Sequence, residues 1–173
     1  MKKNINNFLK IILFGFFIGI LALLQITFIN WFDIFGVKIN LVLIGILANI
    51  FNPSWPLILV GTFIGGLVYD FTSLFNFTYT ISFLILVLLF RFLGRKYLVE
   101  KHLFLNFFFG FLGTIIFNFL YVSINYFFFR NNFFGYFLSW NHLLEIGINA
   151  FLVFLLGLIG EAFKITLKII RKQ

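Results

Sequence analysis

The residues best suited to chemistry are Asp70 and the pair His142 and Glu145, because all three lie within long apolar runs. His142 and Glu145 are three residues apart, a spacing that places two metal ligands on one helical face. Zinc takes three or four protein ligands, so we expect a hydrogen-bonded pair here and no metal site. An ionised side chain at a bilayer centre costs roughly 3 kcal/mol or more, so Asp70 needs a polar partner, a wet cavity or a shallow depth.

The elements that carry these residues are predicted to be membrane helices. The chain has 173 residues, of which 62% are hydrophobic and 10% charged. A soluble domain has about 25% charged residues and could not bury so much apolar surface. The composition therefore predicts an all-α polytopic membrane protein, with residues 1–173 forming a single integral membrane domain.

Six apolar stretches define the predicted transmembrane helices, since about 20 apolar residues cross a bilayer. The predicted spans are approximately residues 10–29, 39–51, 56–74, 76–93, 103–129 and 141–163. The second stretch is short and is separated from the third by Asn52, Pro53 and Pro56, which favour a turn. Residues 39–74 therefore form either two full spans or one re-entrant hairpin.

The basic residues predict the orientation of the helices. If the N-terminus is cytoplasmic, only Lys38 and Arg130 fall on the outer side. The remaining basic residues then lie on the cytoplasmic side, as the positive-inside rule requires: Lys2, Lys3, Lys10, Arg91, Arg95, Lys96, Lys101, Lys164, Lys168, Arg171 and Lys172. We predict a multi-pass protein of the bacterial cytoplasmic membrane with both termini in the cytoplasm. The net charge of +8 indicates contact with membrane lipids rather than nucleic acid.

Signals of catalysis and of cofactors are absent from the sequence. There is no Gly-x-Ser-x-Gly, phosphate-loop or His-Glu-x-x-His motif. The chain has no cysteine, which excludes disulfides and thiolate metal sites. We expect a protein that is not an enzyme and carries no cofactor.

Small residues on the third stretch form two neighbouring ridges. Gly61 and Gly65 make one ridge, while Thr62 and Gly66 make a second that continues to Asp70. Such spacing lets the backbone of another helix approach closely. We predict that this surface docks a partner helix, that Asp70 faces the packing, and that Gly65→Leu disrupts partner association without preventing insertion.

Polar side chains also cluster in the outer halves of several predicted helices. In the predicted orientation these residues are Gln25, Asp70, Asn125, His142 and Glu145. Because all five fall at a similar depth on packing faces, we expect either a connected polar patch or a shallow outward-facing cavity.

The order of signals from Leu24 to Tyr97 resembles the bacterial rod shape-determining protein MreD family. The matching residues are Leu24-Gln25-Ile26-Thr27, Phe35-Gly36-Val37-Lys38, Asn52-Pro53-Ser54-Trp55, Gly61-x-x-x-Gly65-x-x-x-x-Asp70-x-x-Ser73 and the basic stop from Arg91 to Lys96. The chain departs from the family pattern at Ile39-Asn40, where Pro-Asp is usual, and at Leu74 and Phe77, where glycine is usual.

The resemblance implies a non-enzymatic scaffold of the cell-elongation machinery that docks MreC and thereby links MreB to the peptidoglycan synthases. It also implies a fold similar to the substrate-binding subunits of energy-coupling-factor vitamin transporters. Such a subunit is therefore an alternative function, and a lipid or polyprenyl carrier is a third. Homo-oligomerisation stays open.

Overall fold

A computed structural model of the chain describes residues 2–27, 37, 39–50, 54–72, 77–97, 103–129 and 139–170. These residues form six α-helices: α1 Lys2–Thr27, α2 Leu41–Ala48, α3 Trp55–Thr72, α4 Thr78–Tyr97, α5 Leu103–Phe129 and α6 Trp140–Ile170. The helices α1, α3, α5 and α6 are long and apolar enough to cross a membrane. The predicted class, an all-α polytopic membrane protein, is therefore confirmed.

Some of the predicted features lie outside the described residues. They are Ser73, the turn residues Asn52 and Pro53, the outer basic residues Lys38 and Arg130, and the segment 98–102 of the charged loop. At both ends of the chain the helices extend beyond the predicted spans. Helix α1 begins at Lys2, and α6 ends at Ile170. The basic residues that end each hydrophobic stretch also favour helix, so the helices continue past the apolar residues.

Helix α2 is the main departure from the predicted spans. Its eight residues rise about 12 Å, whereas the hydrocarbon layer is about 30 Å thick, so α2 alone cannot cross a bilayer. Asn49 ends the helix, since its side-chain amide donates a hydrogen bond of 3.0 Å to the carbonyl of Gly45. All residues from Val42 to Leu47 are buried. Helix α2 is thus a short core helix enclosed by the others.

The longer helices are arranged around α2, which contacts α1, α3, α5 and α6. Helices α1 and α3 run parallel, since Gly61 lies against Phe14 and Gly65 lies against Ile18. Successive helices from α3 to α6 are antiparallel. Helix α1 therefore begins and α6 ends at one end of the bundle, here called the near end. At the opposite far end, α1 and α3 end, while α2, α4 and α6 begin.

Helix α3 extends along the bundle from the near end to the far end. At its start, the Trp55 ring lies under the guanidinium of Arg91, with 5.4 Å between Cζ and the ring centroid. Arg91 belongs to the last two turns of α4. Helix α3 therefore begins at the near end, beside the basic end of α4.

Aromatic rings hold α4 against α5. Phe83 and Phe117 are buried and stack with centroids 4.5 Å apart, while Phe90 and Phe109 meet edge to face at 5.3 Å. Lipid tails remove most of the hydrophobic drive between helices, so such close van der Waals packing is the main source of helix association.

Candidate functional site

Asp70 accepts hydrogen bonds from the first turn of a neighbouring helix, α4. Its side chain is 1% exposed. One carboxylate oxygen accepts the Tyr79 N–H at 2.9 Å, and the other accepts the Thr80 N–H at 2.9 Å and the Thr80 hydroxyl at 2.5 Å. These N–H groups belong to the first turn of α4 and have no partner within their own helix. Because a helix N-terminus carries partial positive charge, it also stabilises the buried carboxylate.

The residue before α4 shows why this helix needs an external cap. Phe77 occupies the N-cap position, and its carbonyl accepts the Ile81 N–H at 3.0 Å. Its side chain cannot accept a hydrogen bond, unlike the Ser, Thr, Asp or Asn usual at this position. Phe77 also has a φ of 49°, a left-handed conformation that is unfavourable for an aromatic residue. Asp70 on α3 therefore supplies the cap that the local sequence lacks.

Gly66 allows α4 to come close enough for this capping. A Cβ placed on Gly66 would lie 2.5 Å from the Cα of Thr80, a distance shorter than any normal contact. Gly66 and Asp70 share one face of α3, four residues apart. The ridge of Thr62, Gly66 and Asp70 thus packs α3 against α4. Gly66 lets the two helices approach closely, and Asp70 accepts the hydrogen bonds between them.

The start of α2 is held by side chains from three parts of the chain. Gln25 on α1 donates to the carbonyl of Ile39 and accepts the Leu41 N–H at 2.5 Å. Asn40 is the N-cap, and its side-chain oxygen accepts the Leu43 N–H at 2.9 Å. The Asn40 N–H donates to the side-chain oxygen of Asn149 on α6 at 3.4 Å. The first turn of α2 is thus capped by protein groups although it lies inside the bundle.

A third polar group joins α5 to the first turns of α6. The side-chain nitrogen of Asn118 lies 3.3 Å from His142 Nδ1 and donates to Glu145 Oε1 at 3.3 Å. His142 Nδ1 is 3.6 Å from the other Glu145 oxygen. All three side chains are buried. The predicted pairing of His142 with Glu145 is present, and Asn118 connects it to the neighbouring helix.

The polar residues of the far end do not form one connected patch among the described residues. Gln25 hydrogen-bonds the start of α2, and Asp70 hydrogen-bonds the start of α4. Among these residues, Asn125 donates to the Tyr121 carbonyl of its own helix at 2.8 Å. Only His142 and Glu145 of the predicted set contact each other. The described residues therefore place Gln25, Asp70, Asn125 and the pair of His142 and Glu145 in four separate groups, and the alternative of a shallow outward-facing cavity stays a prediction.

The Gly61 and Gly65 ridge is covered by helices of the same chain. A Cβ on Gly61 would lie 2.5 Å from Phe14 Cε1, and one on Gly65 would lie 2.7 Å from Val42 Cγ1 and 2.8 Å from Ile18 Cγ2. Because α1 and α2 already occupy this surface, a partner helix cannot reach it. The predicted docking role of these glycines is therefore corrected to internal packing.

An aromatic cluster lies between α3, α4 and α5 at the far end. Tyr79 stacks on Tyr69 with centroids 4.8 Å apart and contacts Tyr121 at 4.6 Å. Tyr69 is 7% exposed, and its hydroxyl has no hydrogen-bond partner among the described residues. The side-chain nitrogen of Asn149 is also buried and without a partner in this part of the chain. Helix capping does not explain these two polar groups of the far end.

Metal binding finds little support in this geometry. The residues that the structure describes contain no group of three His, Cys, Asp or Glu side chains positioned to hold a metal ion. His142 and Glu145 are joined instead by an asparagine, whose amide is a weak zinc ligand compared with His, Cys or a carboxylate.

Several residues of these sites were not among the predicted site residues. Thr80 and Asn40 both stand at a helix start, where Ser, Thr, Asp and Asn are typical, and that signal could have identified them. Asn118 and Asn149 share helical faces with other polar residues, but their partners depend on how the helices pack.

The fold and the polar groups together define a multi-pass, all-α membrane protein. Several of its buried polar side chains accept hydrogen bonds from the first turns of other helices. Comparison of the chain with protein-family models, curated proteins and solved structures finds no match.

Proposed function

We propose that this chain is a non-enzymatic scaffold of the bacterial cell-elongation machinery, which docks MreC and through it connects MreB to peptidoglycan synthesis. The order of residues between Leu24 and Tyr97, which resembles the MreD family, supports this assignment. No nucleic acid takes part in this function, and membrane lipids surround the protein.

The hydrogen bonding of Asp70 is the structural observation that supports the proposal most strongly. An acid inside membrane helices is by default a candidate for transport or catalysis. Both oxygens of Asp70 are instead engaged by the first turn of α4, and the side chain is 1% exposed. A carboxylate committed in this way stabilises a rigid bundle, which is what a scaffold requires.

The proposed location is the bacterial cytoplasmic membrane, with the near end facing the cytoplasm. Helix α1 begins and α6 ends at the near end, in keeping with two termini on one side. Most basic residues of the chain lie close to the helix ends found there, including Lys10, Arg91 and Lys164. This distribution supports the orientation through the positive-inside rule.

Docking of MreC has to use an outward surface of the bundle, because α1 and α2 cover the Gly61 and Gly65 ridge. The outward faces of α1 and α6 are candidates, with Phe16 67% exposed and Ile159 63% exposed. Large apolar side chains on these faces contact either lipid tails or a single transmembrane helix of a bitopic partner.

Co-purification tests the proposal directly. The tagged chain, extracted from its own membranes in mild detergent, is expected to retain a bitopic MreC-like protein. Replacement of α1 outward residues by alanine, such as Phe16→Ala with Leu13→Ala, is expected to reduce the recovery of that protein. Recovery of an ATPase pair, with no MreC-like protein, would contradict the scaffold.

The alternative function, a substrate-binding subunit of an energy-coupling-factor vitamin transporter, is favoured by one feature. The Tyr69 and Tyr79 rings are stacked, and the buried Tyr69 hydroxyl has no partner among the residues that the structure describes, a combination that resembles the lining of a site for an aromatic ligand. Mass spectrometry of the denatured, freshly purified protein would reveal a retained vitamin. Finding one at near-equimolar amount, and losing it in Tyr69→Phe, would replace the scaffold proposal.

A further inference from the structure

Arg91 is a charged side chain that forms no ion pair with another residue in the part of the chain that the structure describes. Its guanidinium lies over the Trp55 ring, and its Nε is enclosed without a hydrogen-bond partner. Among the described residues, no Asp or Glu side chain lies within ion-pair distance of the guanidinium. Nε is the nitrogen of Arg91 that is enclosed without a partner and the side chain as a whole is only partly buried, so we place the open edge of the guanidinium at its two terminal nitrogens.

The aromatic ring does not remove the need for an anion. A ring face attracts a cation through its quadrupole but carries no net charge. A partly enclosed charge without an opposite charge is unfavourable in an apolar surrounding. A negatively charged group from outside the protein would therefore stabilise Arg91 at its open edge.

The position of Arg91 along α4 indicates where that anion comes from. Arg91 is 13 residues beyond Thr78, the start of α4, which corresponds to about 20 Å along the helix axis. The hydrocarbon layer is about 30 Å thick. If the start of α4 lies at the far boundary of this layer, the Cα of Arg91 lies inside the membrane, about 10 Å from the boundary at the near end. Long basic side chains at this depth extend toward the headgroups, and tryptophan favours the same layer.

We propose that Arg91 and Trp55 form a binding site for the phosphate of an anionic phospholipid headgroup in the leaflet at the near end. The two terminal guanidinium nitrogens form a planar fork that matches two phosphate oxygens. Trp55 holds the guanidinium at the height of the headgroups. The net charge of +8 adds long-range attraction for anionic lipid over zwitterionic lipid.

Fluorescence quenching of Trp55 tests this site. The full-length chain is prepared with Trp31→Phe and Trp140→Phe, so that Trp55 is the one tryptophan, and is reconstituted in phosphatidylcholine vesicles. A minor fraction of brominated phosphatidylglycerol or of brominated phosphatidylcholine is then added as the quencher. The site predicts an apparent preference for the anionic quencher of about tenfold, the magnitude expected of a hydrogen bond to a charged group.

Variants distinguish a specific site from general attraction. Arg91→Gln is expected to remove most of the preference and leave only the small part due to net charge, and Arg91→Lys to retain an intermediate preference, because an ammonium lacks the planar fork. Lys10→Gln is the matched control, since Lys10 is an exposed basic residue of the same end, and it should leave the preference unchanged. Circular dichroism of each variant verifies that the helices are intact.

Two results would overturn the proposal. The first is a preference as large in Arg91→Gln, with its helices intact, as in the wild type. The second is a preference removed by excess inorganic phosphate in the vesicle buffer, which would indicate a site for soluble phosphate. A preference that persists in phosphate and depends on Arg91 supports a lipid headgroup site.

Discussion

The Asp70 carboxylate accepts hydrogen bonds from both the N–H and the hydroxyl of Thr80, so a residue of α3 fixes the first turn of α4. The chain between these two helices is short, and the N-cap position carries Phe77, whose side chain cannot cap. A water-exposed helix could bind solvent at this point. A helix that starts within a membrane bundle has to find its partners in the protein.

The same requirement accounts for the other polar groups of the far end. Helix α2 begins beside Gln25 and Asn40, and α6 is preceded by Ser139, whose hydroxyl accepts the His142 N–H at 3.3 Å. Three helices thus start at the far end, and each start is capped by a polar side chain. The buried polar residues are therefore explained by the connections of the fold more directly than by a transported substrate.

Gly66→Ala should destabilise the protein. The new methyl group would collide with the Thr80 backbone, which cannot move away without pulling the first turn of α4 from Asp70. Overpacking of this kind costs about 1–3 kcal/mol. Unfolding of the variant in mixed SDS micelles, followed by circular dichroism, measures this loss.

Gly147→Ala provides the matched control for that substitution. Gly147 is also helical, but a Cβ at this position meets nothing within 4 Å. Because alanine favours helix by about 1 kcal/mol over glycine, this variant should be as stable as the wild type or more stable. Equal stability of the Gly66 and Gly147 variants would argue against a close contact between α3 and α4.

Gly65→Leu should destabilise the folded chain itself, by about 3 kcal/mol or more, because the leucine would displace Val42 and Ile18. The same unfolding experiment measures the loss, alongside co-purification of partners. A variant that unfolds normally but no longer binds a partner would restore the docking surface predicted from the sequence.

Asn118→Ala should weaken the packing of α5 on α6, since it removes the amide that lies beside both His142 and Glu145. Interhelical hydrogen bonds in membranes contribute about 0.6 kcal/mol on average and up to about 1.7 kcal/mol. Asn125→Ala is the comparison, because Asn125 bonds only within its own helix. If Asn125→Ala is the more damaging of the two in mixed-micelle unfolding, the cross-helix role of Asn118 is wrong.

The fold class and the six helices of the described residues could be predicted from the sequence, because long apolar stretches in a chain with few charges favour membrane helices. The length of α2 could not. Asn49 is the one polar residue of the stretch 41–51, and in the structure it is the C-cap of α2 and its side chain donates to the Gly45 carbonyl. Periodicity correctly indicated that Thr62, Gly66 and Asp70 share a face, and all three are buried.

The partners of the polar side chains could not be predicted for the same physical reason. Helical periodicity states which residues share a face but not which neighbour covers it. Gly61 and Gly65 therefore appeared suited to a partner protein, whereas α1 and α2 lie against them. Similarly, the depth of Asp70 suggested a shared network, although its ligands are the amides of the following helix.

A double-mutant cycle between Asp70 and Thr80 tests the central claim that the buried acid holds the start of α4. Asp70→Asn, Thr80→Val and the double variant are unfolded in mixed SDS micelles. The account predicts a coupling free energy of about 1–2 kcal/mol, with Asp70→Asn the more damaging single change because it also weakens the bonds to the backbone amides. Additive effects of the two single changes, to within about 0.3 kcal/mol, would contradict it.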